Sequence, residues 1–372
     1  MRIPFLDLTR QHDEVAAEAG AALTRAAAAG AYILGPQVAA FEAEWARFCG
    51  VAGAAGVNNG TDALALALTA TGAVRPGRGD EVVTSPVTAG YTGLAILRAG
   101  GVPVFADVEP RSATLDPGAL ARALTPRTRA VVPVHLHGQM ADMAGICEVA
   151  GRHGLLVLED AAQAHGAVLD GRAAGGHGHA AAFSFYPTKN LGAWGDAGAV
   201  TSNDASVIAR VRELREGAHP AAMLGDAVGA NSRLDELQAA VLRVKLARLA
   251  EWNARRAQLA GAYRERLGAA CVPGLELPTE RAPGAHAFHL YVVRHAQRDR
   301  LQAHLGDRGV ETLVHYRPLL HQQPLFYRAG QRALPVAERL AGEMLSLPLY
   351  PQLRPDELGG VVEAVAGFAP AR

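Results

Sequence analysis

The segment Asn58-Asn59-Gly60-Thr61-Asp62 has the residue types of an anion-binding site. An apolar stretch with helical spacing follows from Asp62. The first N–H groups of a helix are unpaired and lie at the positive end of its dipole, so a phosphate fits there. Gly60 would let the backbone approach the anion closely, and the Thr61 hydroxyl would add a donor. The alternative is an ordinary helix start that Thr61 or Asp62 caps.

Two acidic residues, Glu159 and Asp160, follow the apolar run Leu155–Leu158. Carboxylates at the end of a buried strand lie at the sheet edge where open α/β folds bind ligands. A buried aspartate there needs a positive partner, because an isolated carboxylate is costly at low dielectric constant. A protonated pyridine nitrogen would serve, and the aspartate would keep that ring charged as an electron sink. The alternative is that Asp160 caps the following helix.

The segment Phe183–Gly192 presents Lys189 in a turn after an apolar run. Ser184 could donate to a phosphate, and Lys189 could form an imine with an aldehyde. Among the 36 basic residues only Lys189 and Lys245 are lysines. This bias favours a task that arginine cannot perform, such as attack on a carbonyl by a neutral amine. A solvated surface lysine is the usual alternative.

Together these segments supply a phosphate site, a partner for a charged ring and an imine-forming amine. Pyridoxal phosphate (PLP) needs all three, so the combination predicts a PLP enzyme with Lys189 as the Schiff-base lysine. A metal site is a second candidate, because His135 and His137 on a strand would point to one face, and His177 and His179 lie near glycines. No acidic or cysteine ligand accompanies them at a familiar spacing, so no metal is expected.

The composition excludes several classes of protein. The formal net charge is zero, so we expect no basic stripe for a nucleic-acid backbone. Cys49, Cys147 and Cys271 are widely spaced and odd in number, which predicts reduced thiols. The start lacks the sustained apolar stretch of a signal peptide, and no strongly apolar run reaches about 18 residues. We therefore expect a cytoplasmic protein that neither spans a membrane nor binds nucleic acid.

Apolar, β-branched runs alternate with amphipathic stretches through the first two-thirds of the chain. This pattern is typical of an α/β fold, with a mostly parallel sheet covered on both faces. The predicted strands are Glu81–Thr84, Val102–Phe105, Ala130–Val134, Leu155–Glu159, Ala181–Phe185 and Ala199–Ser202. The predicted helices are Asp62–Thr71, Tyr91–Ala99, Pro117–Leu124 and Met143–His153.

A smaller α/β domain is expected after the large one. Ser232-x-x-Asp235 resembles a capping box that opens a long helix leading out of the large domain. Beyond it, the pattern predicts a strand over His289–Arg294 and helices over Arg298–Arg308 and Pro335–Ser346. The predicted domains are residues 1–245 and 246–372.

In these segments the chain resembles the DegT/DnrJ/StrS-type sugar aminotransferases, which are fold type I PLP enzymes. The resemblance runs roughly from Ile3 to Leu353. It implies a large PLP-binding domain and a smaller C-terminal one. The most specific stretches are Asn59–Leu64, Glu159–Gly166, Phe183–Gly198 and Gly229–Glu236.

The resemblance implies a role for each matching cofactor residue. Lys189 would hold PLP and shuttle protons, Asp160 would pair with the pyridinium nitrogen, and Gln163 would hydrogen-bond the phenolic oxygen of the ring. The implied phosphate ligands are Gly60, Thr61 and Ser184.

Two further implied contacts concern the ring face and a neighbouring subunit. The aromatic residue that stacks on the ring aligns near Ala89 or Tyr91, and Tyr91 is the better candidate. The Asn-Ser-Arg segment of such enzymes reaches across a dimer interface, so Asn231 would touch the phosphate bound by the other subunit. A homodimer with shared active sites is therefore expected.

Three stretches look most like relatives that act on nucleotide-linked 3-keto sugars: Asn59–Leu66, Pro133–His135 and Tyr186–Lys189. The implied reaction is ping-pong, in which L-glutamate gives its amino group to PLP and the cofactor then aminates the ketone. The expected acceptor is a dTDP-linked 3-keto-6-deoxyhexose, and its product would serve amino-sugar biosynthesis. The implied sugar-pocket residues are Tyr186, His315 and Tyr316.

Departures from the family pattern weaken the substrate assignment. Ala222 and Met223 replace a frequent Lys-Tyr pair, so Arg215 or His219 would have to supply the lost contact, and Arg317 interrupts the usual His-Tyr-Pro run. Amination at C4 of the sugar, or of a cyclitol ketone, is the main alternative. Dehydrating relatives replace the lysine by histidine, and a non-catalytic regulator could keep PLP as a structural ligand. Every expected catalytic position is filled here, which favours an aminotransferase.

Overall fold

The computed structural model describes residues 2–217, 229–327 and 332–370. The strands in these ranges are β1 (Gly53–Val57), β2 (Glu81–Thr84), β3 (Val102–Phe105), β4 (Thr128–Val132), β5 (Leu156–Asp160), β6 (Val168–Leu169), β7 (Arg172–Ala173), β8 (Ala180–Ser184), β9 (Gly198–Ser202), β10 (Tyr291–Arg294) and β11 (Met344–Leu347). The helices are α1 (Leu8–Ala28), α2 (Pro36–Cys49), α3 (Gly60–Ala70), α4 (Gly90–Arg98), α5 (Pro117–Ala123), α6 (Met143–Arg152), α7 (Ala205–Leu214), α8 (Glu236–Ala270), α9 (Arg298–Asp307), α10 (Pro335–Glu343) and α11 (Pro355–Ala366).

The central sheet has the strand order β1-β9-β8-β5-β4-β2-β3. The pairs β3–β2, β2–β4, β4–β5 and β5–β8 are parallel, whereas β9 runs antiparallel to both β8 and β1. The predicted mostly parallel sheet is therefore confirmed. Because Asp160 of β5 lies opposite Ala182 of β8, the carboxyl ends of these two strands reach the same edge of the sheet.

Helices cover both faces of this sheet, because successive strand residues point to opposite sides. Val83 of β2 belongs to a buried cluster that includes Phe41 and Trp45 of α2. Its neighbour Val82 belongs to the cluster on the other face, with Leu64 of α3. The six predicted strands are all present, with their ends shifted by at most two residues.

The sequence patterns do not predict β1, whose sequence Gly-Ala-Ala-Gly-Val contains only one β-branched residue. Small residues are required there because other elements pack very closely. A Cβ atom on Gly56 would lie 2.8 Å from Leu234 Cδ2, and one on Gly53 would lie 3.1 Å from Ile208 Cγ1. Tertiary crowding therefore selects this strand's sequence over β propensity.

The predicted capping box at Ser232 and Asp235 is wrong. Asp235 is the N-cap of α8, but its side chain makes no capping hydrogen bond. Ser232 Oγ instead accepts from the N–H of Asn58 at 3.1 Å. The next residue, Glu236, accepts from the N–H of Val38 at 2.7 Å, so its carboxylate stabilises the start of α2 rather than of its own helix.

The predicted helix Pro335–Ser346 is too long. It ends at Glu343, and the chain continues as β11, antiparallel to β10 with Leu347 opposite Tyr291. Because both strands are almost entirely buried, pairing with β10 overrides the helical spacing of this segment.

The division of the chain at residue 245 stays a prediction. Helix α8 crosses this position without a break. A separate buried cluster contains Tyr263 of α8, Leu301 of α9 and Val361 of α11, together with Ile3 from the start of the chain. The first residues therefore pack with the C-terminal part. Within residues 2–217, 229–327 and 332–370, no helix is both long and apolar enough to cross a membrane.

Candidate active site

The start of α3 lies against the end of β8. Asn59 is the N-cap, and its Oδ1 accepts from the N–H of Asp62 at 2.8 Å, so a cap by Thr61 or Asp62 is excluded. The N–H groups of Gly60 and Thr61 occupy the first helical positions and have no partner within the helix. A Cβ atom on Gly60 would lie 2.7 Å from Ser184 Cβ. The three predicted phosphate ligands are therefore neighbours.

Gly198, at the start of β9, lies against the backbone of the same site. A Cβ atom there would lie 2.4 Å from the carbonyl carbon of Asn59 and 2.9 Å from the nitrogen of Gly60. Only glycine permits so close a backbone approach.

An ion pair lies beside the start of α3. Arg98 of α4 pairs with Asp62 at 2.7 Å and compensates the negative charge in the first turn of α3. A dianionic phosphate can therefore bind beside this carboxylate with less repulsion.

Asp160 lies buried at the end of β5, as predicted from the sequence. Its Oδ2 accepts from the Thr92 hydroxyl at 2.7 Å, and its Oδ1 accepts from the Ala162 N–H at 3.2 Å. Among the described residues no cationic side chain pairs directly with it. A carboxylate held in place by neutral donors is suited to a cationic ligand group. Sequence reasoning missed Thr92, because a threonine in a helix carries no signal for its partner.

Lys189 lies half-buried in the turn after β8, and its N–H donates to the Tyr186 carbonyl at 2.8 Å. Burial lowers the pKa of the Lys189 ammonium from its ordinary value to about 8, and the Asp160 carboxylate acts in the opposite direction. A sizeable fraction of the amine is therefore neutral near pH 8 and able to attack a carbonyl.

Gln163 links this edge of the sheet to the C-terminal part of the chain. Its Oε1 accepts from the His137 N–H at 2.6 Å, and its Nε2 donates to the Tyr316 hydroxyl at 2.9 Å. Burial raises the pKa of Tyr316 to about 12, so the phenol stays protonated. Burial, assisted by the charge of Lys189, lowers the pKa of His315 to about 4, and its Nδ1 lies 2.8 Å from the Ser346 hydroxyl. His315 is therefore neutral at ordinary pH.

Three of the predicted site residues are more exposed than Asp160 and Lys189. Tyr91 follows the first residue of α4, next to Thr92, and its side chain is 66% exposed. Tyr186 is 51% exposed. Asn231 is also exposed and pairs through its backbone with Glu216. Among the described residues, no hydrogen bond joins these three side chains to Lys189 or Gly60, so their predicted roles stay predictions.

The hypothesis of a metal site required His135 and His137 to lie on one strand, and that strand is not formed. β4 ends at Val132, and His137 lies in a tight turn with φ of 59°. His135 Nε2 contacts Glu159 at 2.9 Å, whereas His137 Nε2 lies 3.3 Å from the His315 carbonyl oxygen. The two rings therefore have separate partners. The described residues contain no group of three or more His, Cys, Asp and Glu side chains that could hold a metal ion.

Glu159 is a structural residue that sequence reasoning left without a role. Although burial raises its pKa, hydrogen bonds from His135 and from the N–H groups of Gly175 and Gly178 outweigh this effect and lower it. The ionised carboxylate thus organises the chain between β7 and β8 beneath the site. Its immediate neighbour Asp160 faces the ligand edge, since adjacent strand residues alternate.

The departures from the family pattern have different outcomes. Arg215 binds Glu42 and the Gly56 carbonyl and is almost fully buried, so it does not supply the missing substrate contact. Arg317 is exposed, with its Nη1 3.9 Å from Asp299. The remaining positions, His219, Ala222 and Met223, lie outside the described residues.

Known proteins resemble this chain over almost its whole length. The family model described as DegT/DnrJ/EryC1/StrS aminotransferase matches residues 13–366. The chain is 45% identical over 372 residues to the dTDP-3-amino-3,4,6-trideoxy-α-D-glucose transaminase of Streptomyces venezuelae, covering 99% of this chain and 96% of that protein. It is 46% identical over 371 residues to the erythromycin biosynthesis sensory transduction protein EryC1 of Saccharopolyspora erythraea, covering 99% and 100%.

A solved structure is equally similar. The crystal structure of S. venezuelae DesV in complex with a ketimine intermediate matches with a TM-score of 0.93 and 44% identity, covering 99% of this chain and 100% of that one. The fold type I architecture implied by the sequence motifs is therefore confirmed.

Proposed function

Because the chain belongs to the DegT/DnrJ/EryC1/StrS aminotransferase family and is a PLP-dependent sugar aminotransferase, we propose that it moves an amino group from L-glutamate to a dTDP-linked 3-keto-6-deoxyhexose. The observation that carries the amine chemistry is the shared sheet edge, with Lys189 of lowered pKa beside the buried Asp160. The choice of C3 and dTDP is supported by the relative named a dTDP-3-amino-3,4,6-trideoxy-α-D-glucose transaminase. We place the reaction in the cytoplasm.

The residues at this edge fit PLP. The α3 start and Ser184 would bind its phosphate together, because the absence of a side chain on Gly60 lets Ser184 lie directly against the helix start. Asp160 would face the ring nitrogen, and Gln163 Nε2 would donate to the phenolic oxygen in place of Tyr316. When bound, PLP supplies an electron sink for the bond changes at the amine-bearing carbon.

Lys189 would attach the cofactor through Nζ and move protons once that attachment is released. A pKa of about 8 allows the amine both to accept and to return a proton near physiological pH. Asp160 would keep the ring nitrogen protonated, and the Thr92 hydroxyl would hold the carboxylate in position.

The acceptor sugar would lie between Tyr186, His315 and Tyr316, with Tyr91 against the face of the cofactor ring. The neutral His315 can share hydrogen bonds with sugar hydroxyls without adding charge. We also propose a homodimer, in which Asn231 contacts the phosphate bound by the other subunit. The exposure of Asn231 in the single chain is compatible with this role.

The cofactor role of Lys189 is tested by the absorbance of the purified protein before and after glutamate. We expect a band at roughly 410–430 nm that moves to about 330 nm with glutamate. The Lys189→Ala variant should lack the band, because it removes the amine proposed to attach the cofactor. Wild-type protein that shows no band after incubation with PLP would contradict the assignment. A band that glutamate leaves unchanged would favour a regulator that keeps PLP as a structural ligand.

The acceptor is tested with purified 3-keto and 4-keto dTDP-sugars and a cyclitol ketone. We expect an amine at C3 of the hexose, located by NMR of the isolated product, and little turnover of the other ketones. A product with the amine at C4, or preferential turnover of the cyclitol, would replace the proposed substrate while leaving the cofactor chemistry intact.

A further inference from the structure

Lys245, the other lysine of the chain, lies on α8 behind the turn that carries Lys189. Only 2% of it is exposed, its Nζ donates to the Gly192 carbonyl, and that Nζ lies 6.0 Å from the centre of the Trp252 ring. No carboxylate among the described residues pairs with it. Burial lowers the pKa of its ammonium to about 8. Burying such an amine costs free energy, so a compensating role is expected.

Gly192 closes the turn that presents Lys189. A Cβ atom on Gly192 would lie 2.3 Å from the Pro187 carbonyl oxygen, so the two ends of the turn are in backbone contact. The N–H of Ala193 donates to the Phe185 carbonyl at 2.7 Å and joins the same ends a second time. A displacement of Gly192 is therefore transmitted through Pro187 to Lys189, two residues further along.

A second side chain of α8 contacts the same loop without a charge. Gln238 lies seven residues before Lys245, on the same side of the helix. Its Oε1 accepts from the Trp194 N–H at 2.9 Å, and its Nε2 donates to the Trp194 carbonyl at 3.3 Å. Helix α8 thus binds the loop at two points, and Lys245 provides the point nearer to Lys189.

A comparison with Arg256 on the same helix indicates why the residue is a lysine. Arg256 is also buried, and its Nη1 donates to several convergent carbonyl oxygens, those of Phe288, His289 and Leu349. Among the described residues, the Lys245 amine donates to one carbonyl oxygen, that of Gly192. A compact amine suits one acceptor, whereas a planar guanidinium suits several.

We propose that Lys245 is a positioning residue for Lys189: by holding the Gly192 carbonyl it fixes the turn so that the Lys189 amine is aimed at the carbonyl it attacks. This inference rests on the proposed role of Lys189. Attack depends on placement of the amine to within about an ångström. A loosened turn would also admit water to the Lys189 amine and return its pKa towards the ordinary value, because burial is what lowers it.

The test measures how fast full-length protein freed of cofactor captures added PLP at Lys189. Captured PLP is fixed with borohydride and located by peptide mass spectrometry, from about pH 6 to about pH 10. We expect Lys245→Met to capture PLP roughly tenfold more slowly, with the midpoint of the pH profile moved upwards. The matched control is Arg248→Met, which removes a cation of α8 that pairs with Glu18 at the surface. The control should behave as the wild type.

An unchanged rate and midpoint in Lys245→Met would overturn the proposal. If circular dichroism shows that Lys245→Met is unfolded, the Lys245→Gln variant, which keeps an uncharged donor, is compared with the control. Slower capture by a folded Gln variant supports the proposal, and equal capture rejects it. If neither variant folds, Lys245 is a residue of the core and the proposal is also rejected. Wild-type protein that is not labelled at Lys189 would instead contradict the proposed function.

Discussion

At the scale of single residues, the site depends on how burial changes the free energy of charged side chains. Asp160 has no direct cationic partner in the described part of the chain. Lys189 carries a lowered pKa because its amine is withdrawn from water. Burial of each group costs free energy, and a ligand that brings a positive ring nitrogen and an aldehyde would offset both costs. A lysine whose pKa is lowered to about 8 is typical of functional sites.

The Asp160→Asn variant tests the charge at the ring nitrogen. We expect the half-reaction with glutamate to slow by about 10²–10³-fold, because an amide cannot stabilise a protonated ring to the same degree. The rate is measured by stopped-flow absorbance. Thr92→Val serves as the matched control, since it removes one hydrogen bond but keeps the charge, and it should cost about tenfold. Equal rates in Asp160→Asn and wild type would exclude the proposed pairing.

The lowered pKa of Lys189 predicts how stability depends on pH. Its pKa is about 8 in the folded protein and near 10.5 when unperturbed, so between these values the unfolded chain binds more protons. The contribution of Lys189 to the free energy of unfolding therefore rises with pH over this window. We expect cofactor-free Lys189→Met to be more stable than wild type at pH 7, with a gap that narrows towards pH 10.5. Urea unfolding at both pH values measures this, and a constant gap would contradict it.

At the scale of elements, neighbouring backbones set the geometry of the phosphate site. The α3 start is pressed between β8 and β9, and glycine is present at both contacts, Gly60 and Gly198. The carboxylate of Glu236 binds the start of α8 to α2, and the hydroxyl of Ser232 binds the preceding segment to Asn58. The phosphate cradle is therefore a joint product of several elements, and small displacements of any of them would alter it.

The Gly198→Ala variant tests this packing. Its new methyl group would meet the Asn59 backbone, and the shift of α3 should cost about 1–3 kcal/mol, or roughly 5- to 150-fold in PLP affinity. The dissociation constant is measured by fluorescence titration of cofactor-free protein. Gly151→Ala is the matched control, because nothing lies within 4 Å of its added Cβ. Undiminished affinity in Gly198→Ala would show that the α3 start does not carry the phosphate.

At the scale of the whole molecule, we propose that a second copy of the chain completes the site. Asn231 lies exposed within one chain, and the family resemblance assigns it to the phosphate of a partner subunit. In a two-fold dimer each such contact occurs twice, so each site combines one Lys189 with the other chain's Asn231.

Mixing two inactive variants tests the shared site. Lys189→Ala and Asn231→Ala should each have little activity as pure proteins. After subunit exchange, half of the dimers are mixed and each holds one intact site, so activity should recover to about one quarter of wild type. The assay follows transfer from glutamate to the sugar. Recovery that stays at the level of the separate variants would indicate sites built within single chains.

Much of this architecture follows from local sequence. The runs that form β2, β3, β4, β5, β8 and β9 are apolar and short, so their strands can be recognised without knowledge of their partners. Lys189, Asp160 and Gly60 also stand out, because a scarce lysine, an acidic strand end and a glycine at a helix start each carry a local signal. The resemblance to a known family then supplied Gln163 and Tyr316, which carry no such signal by themselves.

Only the tertiary structure decided which groups meet. Three hydrogen bonds each join residues more than 50 positions apart in the chain. They link Thr92 to Asp160, Gln163 to Tyr316, and Lys245 to Gly192 in the turn that carries Lys189. Hydrophobic periodicity records which side of an element is buried, but not which element covers it. Strand β1 is not predicted from the sequence for the same reason. Its glycines are required by the close packing of Leu234 and Ile208, and glycine has no intrinsic preference for strands. Partner choice is set by the order of strands in the sheet, which is a property of the packed chain as a whole.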